Sequence, residues 1–134
     1  MDMKMRIPCR AISKGEAEGE LIVSRKNFSF LGDVDPETGV VVARDSDITG
    51  ESIKQKIFAF PSGRGSTVGT YVLLRMKKKG TSPLAIINYR TEPIIAVGAI
   101  ISNIPLVDGV DINVLEGRRA KVSAFKNCFV EISD

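Results

Sequence analysis

The chain has 134 residues, 43% of them hydrophobic and 26% charged, with a net charge of +3, which describes one ordinary globular domain spanning residues 1–134. It holds no histidine and two cysteines, which excludes Ser-His-Asp and Cys-His catalysis and the usual ligand sets of zinc and iron–sulfur sites. No apolar run approaches the ~18 residues of a membrane span, and the N-terminus has no signal-peptide pattern, so a cytoplasmic protein that binds no membrane is expected.

Met5 to Ile12 is predicted as a first strand and Gly19 to Ser24 as a second, with a polar Ser13-Lys14-Gly15-Glu16 turn between them. Cys9 and Cys128, far apart and without a CxxC pattern, are expected to be buried, inert strand residues. Phe28-Ser29-Phe30-Leu31 is apolar and stops at Gly32-Asp33, and Val34 to Gly39 supplies turn residues. Val40-Val41-Val42 then resumes as a β-branched strand, and Asp45 to Gly50 is a polar connection. Ile57-Phe58-Ala59-Phe60 is a short apolar strand ending at Pro61.

From Ser66 to Lys79 the residues Val68, Tyr71, Val72 and Met76 recur at helical spacing, with Ser66 or Thr67 placed as N-cap and Gly80 as C-terminal stop. The run Lys77-Lys78-Lys79 fits the solvated last turn of that helix, where cations complement the dipole. A nucleic-acid surface wants interleaved aromatics or a second basic stripe; the chain supplies neither, and a small anionic molecule is the expected partner. Pro83 to Asn88 is a further buried strand. A second helix starts near Thr91-Glu92-Pro93 and runs to about Ser102. Its 94–101 stretch is apolar nearly all round, which means deep burial or a face for contact with another protein. Ile104 to Val107, Ala120 to Phe125 and Cys128 to Ile132 complete the strands, the last reached through a Lys126-Asn127 turn. The expected fold is a mixed α/β domain with two main helices on a mixed sheet or open barrel.

Strand, Gly63-Arg64-Gly65-Ser66-Thr67 loop and helix N-terminus together make an anion site on physical grounds. The first helical N–H groups lack intrahelical partners and carry the positive end of the dipole. Gly63 and Gly65 allow close backbone approach, Arg64 offers a bidentate clamp, and Ser66 and Thr67 add hydroxyls. The loop is not a Walker motif, since the Lys-Ser/Thr ending and its spacing are missing. A serine flanked by peptide N–H groups and an arginine has its alkoxide stabilised, so Ser66 is the candidate to take a proton from carbon without a histidine. Ser62 is a lesser candidate. The alternative is a structural turn in which Ser66 only caps the helix.

Gly15-Glu16-Ala17-Glu18-Gly19, Ser29 to Gly39 (SFLGDVDPETG), Phe60 to Gly69 (FPSGRGSTVG) and Pro83 to Asn88 occur in this order. Together they resemble the small subunit of the aconitase X family, most closely its archaeal branch, from about Cys9 to the end of the chain. The resemblance implies a single swivelling β/β/α domain that closes on a larger subunit. That partner carries an iron–sulfur cluster of the four-iron type, a Lewis acid on the departing hydroxyl, and none is bound by this chain alone. It implies that Ser66 is the proton acceptor; the position is also similar to the Gly-Ser-Ser segment of aconitases proper. The arginine found two residues after that base in aconitases proper is replaced by Val68, and Asp33 stands where the family often has a second glycine.

The activity implied is dehydration of (R)-5-phosphomevalonate to trans-anhydromevalonate 5-phosphate, in the archaeal-type mevalonate route to isoprenoids. Gly63, Arg64, Gly65 and Thr67 then grip an anionic group of the substrate. The alternatives are the small subunit of a cis-3-hydroxy-L-proline dehydratase and a non-catalytic anion-binding module.

Overall fold

A computed structural model describes residues 5–65 and 67–134. Strands β1 (Met5–Pro8), β2 (Arg10–Ser13) and β3 (Gly15–Val23) lead to β4 (Ile57–Phe60), helix α1 (Val68–Lys79), β5 (Ala85–Asn88) and helix α2 (Pro93–Ile101). Strand β6 (Leu106–Asp108), a 3-10 turn at Ile112–Val114, β7 (Arg119–Ala124) and β8 (Phe129–Ser133) follow. The eight strands run in the order β1-β8-β7-β3-β4-β5-β6-β2. The two outermost strands, β1 and β2, are consecutive in the chain and separated by Cys9 alone. The edges of the sheet therefore meet, and the sheet closes on itself as two facing layers with the helices against one of them. This is the mixed α/β arrangement that the strand and helix pattern calls for, in the β/β/α layering that the resemblance implies.

Alternation within the central strands explains the layers. Strand β4 is buried at all four positions, as a strand covered on both faces must be. Ile57 and Ala59 join Ala85, Ile87, Val107, Val122 and Val130 between the two sheet layers. Phe58 and Phe60 point the other way, into a core with Ile86, Leu73, Met76, Ile95 and Ala99, so one four-residue strand serves two cores. Parallel pairing of β4 with β5, through partners such as Phe58 with Ile86, sets both helices on the same side. At Gly98, Leu73 Cδ2 would stand 3.2 Å and Thr70 Cα 3.4 Å from an added Cβ, so α1 and α2 pack closely enough that a larger residue would have to push its neighbours back.

Three expectations are corrected. The predicted first strand is two strands, because the chain crosses from one sheet layer to the other at Cys9. The predicted turn over Ser13 to Glu16 shrinks to Lys14, and β3 begins at Gly15. There Glu16, Glu18 and Glu20 are exposed on the outer face while Gly19 and Leu21 are buried, and that run of glutamates and glycines carries weak strand propensity in sequence. Val40 to Val42 is not a strand: it makes single bridges, Val34 to Val41 and Val40 to Ser52, while Val42 N–H turns back to Asp33 O at 2.9 Å.

The cysteines also depart from expectation. Cys9 and Cys128 are half-buried and bonded to each other, with Cα atoms 5.3 Å apart across a sequence separation of 119. Both sit at the ends of strands, and Cys9 N–H donates to Cys128 O at 3.2 Å. The bridge ties the point where the sheet edges meet to the last hairpin. Among the described residues no helix is long and apolar enough to cross a membrane.

Candidate active-site loop

The loop leaves β4 at Pro61 and enters α1 at Val68, and its base is held by backbone pairing. Phe28 N–H donates to Ser62 O and Arg64 N–H to Phe28 O, each at 3.0 Å. The two segments that carry the sequence resemblance, one around Ser29 to Gly39 and one around Phe60 to Gly69, are thereby brought side by side. Aromatic packing fixes them: the Phe28 ring lies 4.8 Å from Phe58 and 5.2 Å from Phe30, both edge-on, a geometry favoured by ring quadrupoles. Below the loop, the buried Asn88 donates through Nδ2 to Phe60 O at 2.9 Å, and Tyr89 and Arg90 N–H both reach Pro61 O at 3.0 Å. The ends of β4 and β5 are thus locked together under the glycines.

Both glycines are required where they stand. A Cβ at Gly63 would collide with the Glu92 carboxylate and come 2.5 Å from Ile95 Cγ1. Gly65 has φ of +107°, and a Cβ there would stand 2.6 Å from Ser29 Oγ, so space and conformation both demand glycine. Glu92 caps α2, accepting from Ile94 N–H at 2.9 Å and Ile95 N–H at 2.7 Å. The positive end of α2 is therefore already neutralised, whereas the first turn of α1 contains no acidic residue to offset its positive end.

Arg64, expected to grip an anion, is engaged by Asp33: its Nη2 donates to both carboxylate oxygens at 3.0 Å. Asp33 is buried and also accepts from Ser29 N–H at 2.9 Å. The Arg64 side chain remains half-exposed, and among the described residues Asp33 is its only side-chain partner. Beside the pair lies a cavity of about 140 Å³ lined by Lys26, Asn27, Phe28, Asp33, Ala43, Asp45, Ser46 and Arg64. Two cations and two carboxylates balance there.

Ser66, the expected base, lies outside the described residues; its neighbours Gly65 and Thr67 are both exposed. Thr67 occupies the N-cap position with helical φ and ψ of −58° and −21°, and its hydroxyl makes no capping bond. Gly80 ends the helix in the left-handed conformation, as its placement predicted, and Lys77 to Lys79 form the exposed last turn. Ser62 is half-buried and contributes its carbonyl to the Phe28 pairing.

Ser29, Asp33, Glu92 and Asn88 support the loop without having been singled out in sequence. Asp33 carried a signal, a carboxylate closing an apolar segment one helical turn from Ser29. Glu92 carried another, an acidic residue just before Pro93 at a helix start.

Behind the start of α2, Asp108 accepts from Arg10 Nε and Nη2, each at 2.9 Å, and from Thr91 N–H at 3.1 Å. Burial pushes its carboxyl up, but the Arg10 and Thr91 hydrogen bonds outweigh burial and hold it below the usual carboxylate range. Asp47 behaves alike: burial raises it, and bonds from Arg25 N–H and Ser24 Oγ leave it lowered. Among the described residues no group of three His, Cys, Asp or Glu side chains is placed to hold a metal ion.

Known proteins of similar length match this chain over nearly all of it. A family model described as Aconitase X swivel domain matches residues 6–132. The phosphomevalonate dehydratase small subunit of Pyrococcus furiosus is 57% identical over 119 residues, covering 88% of this chain and 89% of its own. That of Methanococcoides burtonii is 52% identical and covers 97% of each chain. A crystal structure of Thermococcus kodakaraensis aconitase X in its holo-form superposes with a TM-score of 0.91 at 53% identity, covering 96% of this chain and 98% of that one. The match spans both sheet layers, both helices and the glycine loop, and the chain belongs to the aconitase X swivel domain family.

Proposed function

We propose that the chain is the small, swivel subunit of a phosphomevalonate dehydratase, which converts (R)-5-phosphomevalonate to trans-anhydromevalonate 5-phosphate in the mevalonate route to isoprenoids. The observation that carries this reading is the near-complete correspondence with small subunits of that name, 52% identical over 97% of both chains in one case. A small subunit implies a large one, and the exposed loop at the start of α1 is the part of this chain suited to face it.

Within that reading, Ser66 is the proton acceptor. A serine hydroxyl is a poor base in water, and the reading requires that its alkoxide be stabilised. The positive end of α1 and the Arg64 guanidinium, its neighbours in the chain, would do so. Gly63, Gly65 and Thr67 let the backbone close on an anionic group of the substrate, and Arg64, oriented by Asp33, offers its remaining N–H groups to the same charge. The iron–sulfur cluster expected of the family does not fit the described residues of this chain, whose two cysteines are bonded to each other. In this reading the large subunit holds it, and the complex is cytoplasmic.

The test is co-expression with a cluster-bearing large subunit of the family, followed by anaerobic assay of phosphomevalonate and of cis-3-hydroxy-L-proline. Turnover of phosphomevalonate by the complex, and by neither chain alone, is expected. Turnover of hydroxyproline alone would transfer the assignment to the other dehydratase. A chain that binds anions but joins no large subunit would make it a non-catalytic binding module.

A further inference from the structure

The outer face of α2 and of the first turn of α1 is apolar where a helix in water is ordinarily polar. Helix α2 reads PIIAVGAII, nine residues without a charged or hydrogen-bonding side chain. Its inner face, Ile95, Gly98 and Ala99, is buried against the core. On the outer face Val97 is 49%, Ile100 52% and Ile101 44% exposed. They share one stripe, since residues three and four apart are neighbours on a helix. The first turn of α1 adds Val68 and Tyr71, 50% and 67% exposed. Between the helices lies a shallow depression of about 250 Å³, lined by Thr67, Thr70, Tyr71, Pro93, Ile94 and Val97.

The surface changes character along α1. Beyond Tyr71 its exposed positions are Arg75, Lys77, Lys78 and Lys79, so on that helix the apolar face is confined to the end next to the glycine loop. A contiguous apolar face of this kind marks a contact with another molecule.

We propose that this face, centred on Tyr71 and Val97, is where the large subunit docks; the proposal rests on the swivel-subunit reading above. Continuity with the loop argues for that occupant. Thr67 belongs both to the loop and to the depression, so whatever fills the depression lies against the loop. A large subunit seated there completes the site in the same stroke. A second copy of this chain seated there would cover the loop and shut substrate out. A tyrosine at the edge of an apolar groove is also the residue type that anchors protein interfaces.

The test compares binding of the large subunit by the unmodified chain, Tyr71→Glu, Val97→Asp and, on the solvated part of α1, Lys78→Glu. Folding of each is checked by circular dichroism, and hydrogen exchange of residues 93–101 is measured in the unmodified complex, which needs no variant to fold. Tyr71→Glu and Val97→Asp are expected to weaken the complex about tenfold or more with Lys78→Glu unchanged, and exchange at 93–101 slows on complex formation. Unchanged affinity in both variants, or unchanged exchange, overturns the proposal. So does a homodimer that these substitutions dissolve while large-subunit binding persists. If the unmodified chain binds no large subunit at all, the swivel-subunit reading fails and this proposal falls with it.

Discussion

Asp33 and Arg64 form the contact that joins the two sequence segments of the site: Arg64 Nη2 lies 3.0 Å from each oxygen of the Asp33 carboxylate. Asp33 is buried with a second donor, Ser29 N–H, so it acts as a fixed post to which a half-exposed guanidinium is tied. A guanidinium held in one orientation loses less freedom when an anion arrives.

Asp33→Asn is expected to raise KM for the anionic substrate several-fold with a smaller change in kcat, because Arg64 loses its anchor and the protein keeps an acceptor for Ser29. Asp33→Ala adds a folding cost of about 1–3 kcal/mol, the price of leaving the buried Ser29 N–H unpaired. Steady-state kinetics of the complex and denaturant unfolding of the free subunit measure the two effects separately. An unchanged KM in Asp33→Asn would remove the positioning role.

Gly65→Ala places a Cβ in a left-handed conformation 2.6 Å from Ser29 Oγ. Strain of that kind costs about 1–3 kcal/mol. The expected outcome is a lower Tm together with a loss of kcat, since the residue that shifts is next to Ser66. Wild-type turnover in a correctly folded Gly65→Ala complex would show that the loop backbone is not critical.

The Cys9–Cys128 bridge closes a loop of 119 residues between the sheet seam and the last hairpin. Cross-links over such spans typically stabilise by about 2–4 kcal/mol. Cys9→Ser is expected to lose stability of that order in urea unfolding, and added dithiothreitol is expected to lower the wild-type Tm without moving that of the variant. Equal sensitivity of both proteins to the reductant would contradict a structural role for the bridge.

Asp108 sets an acid limit. Its folded pKa is depressed by the Arg10 and Thr91 hydrogen bonds despite burial. Its stabilisation is therefore fully present above the unfolded value, about 3.9, and is lost as pH falls through the folded value. The stability gap between wild type and Asp108→Asn is expected to be widest near neutrality and to narrow as the pH drops below 4. A gap that stays constant over that range would show that the carboxyl does not titrate as described.

Much of this was legible in the sequence, for reasons that can be traced residue by residue. Ile57 to Phe60 and Pro93 to Ile101 announced themselves because an unbroken apolar run and a proline at a helix start are local signals. The glycine loop stood out for the same reason. What escaped depended on contacts between distant segments. Cys9 and Cys128 are 119 residues apart, and only the closure of the sheet brings them together. Strand β3 reads short in the sequence because its glutamates face water and look like turn residues. Asp33 was visible as a residue but not as a support, because the Arg64 side chain it holds lies across the fold; the cap that Glu92 makes on α2 is local, and only its closeness to Gly63 depends on the fold.

The most direct measurement is the anaerobic turnover of (R)-5-phosphomevalonate by the co-purified complex, with the native small subunit and with Ser66→Ala. The account predicts that the variant assembles normally and that kcat falls by about 10²–10⁴, the usual contribution of a positioned base. A Ser66→Ala complex that dehydrates phosphomevalonate at the native rate would contradict it.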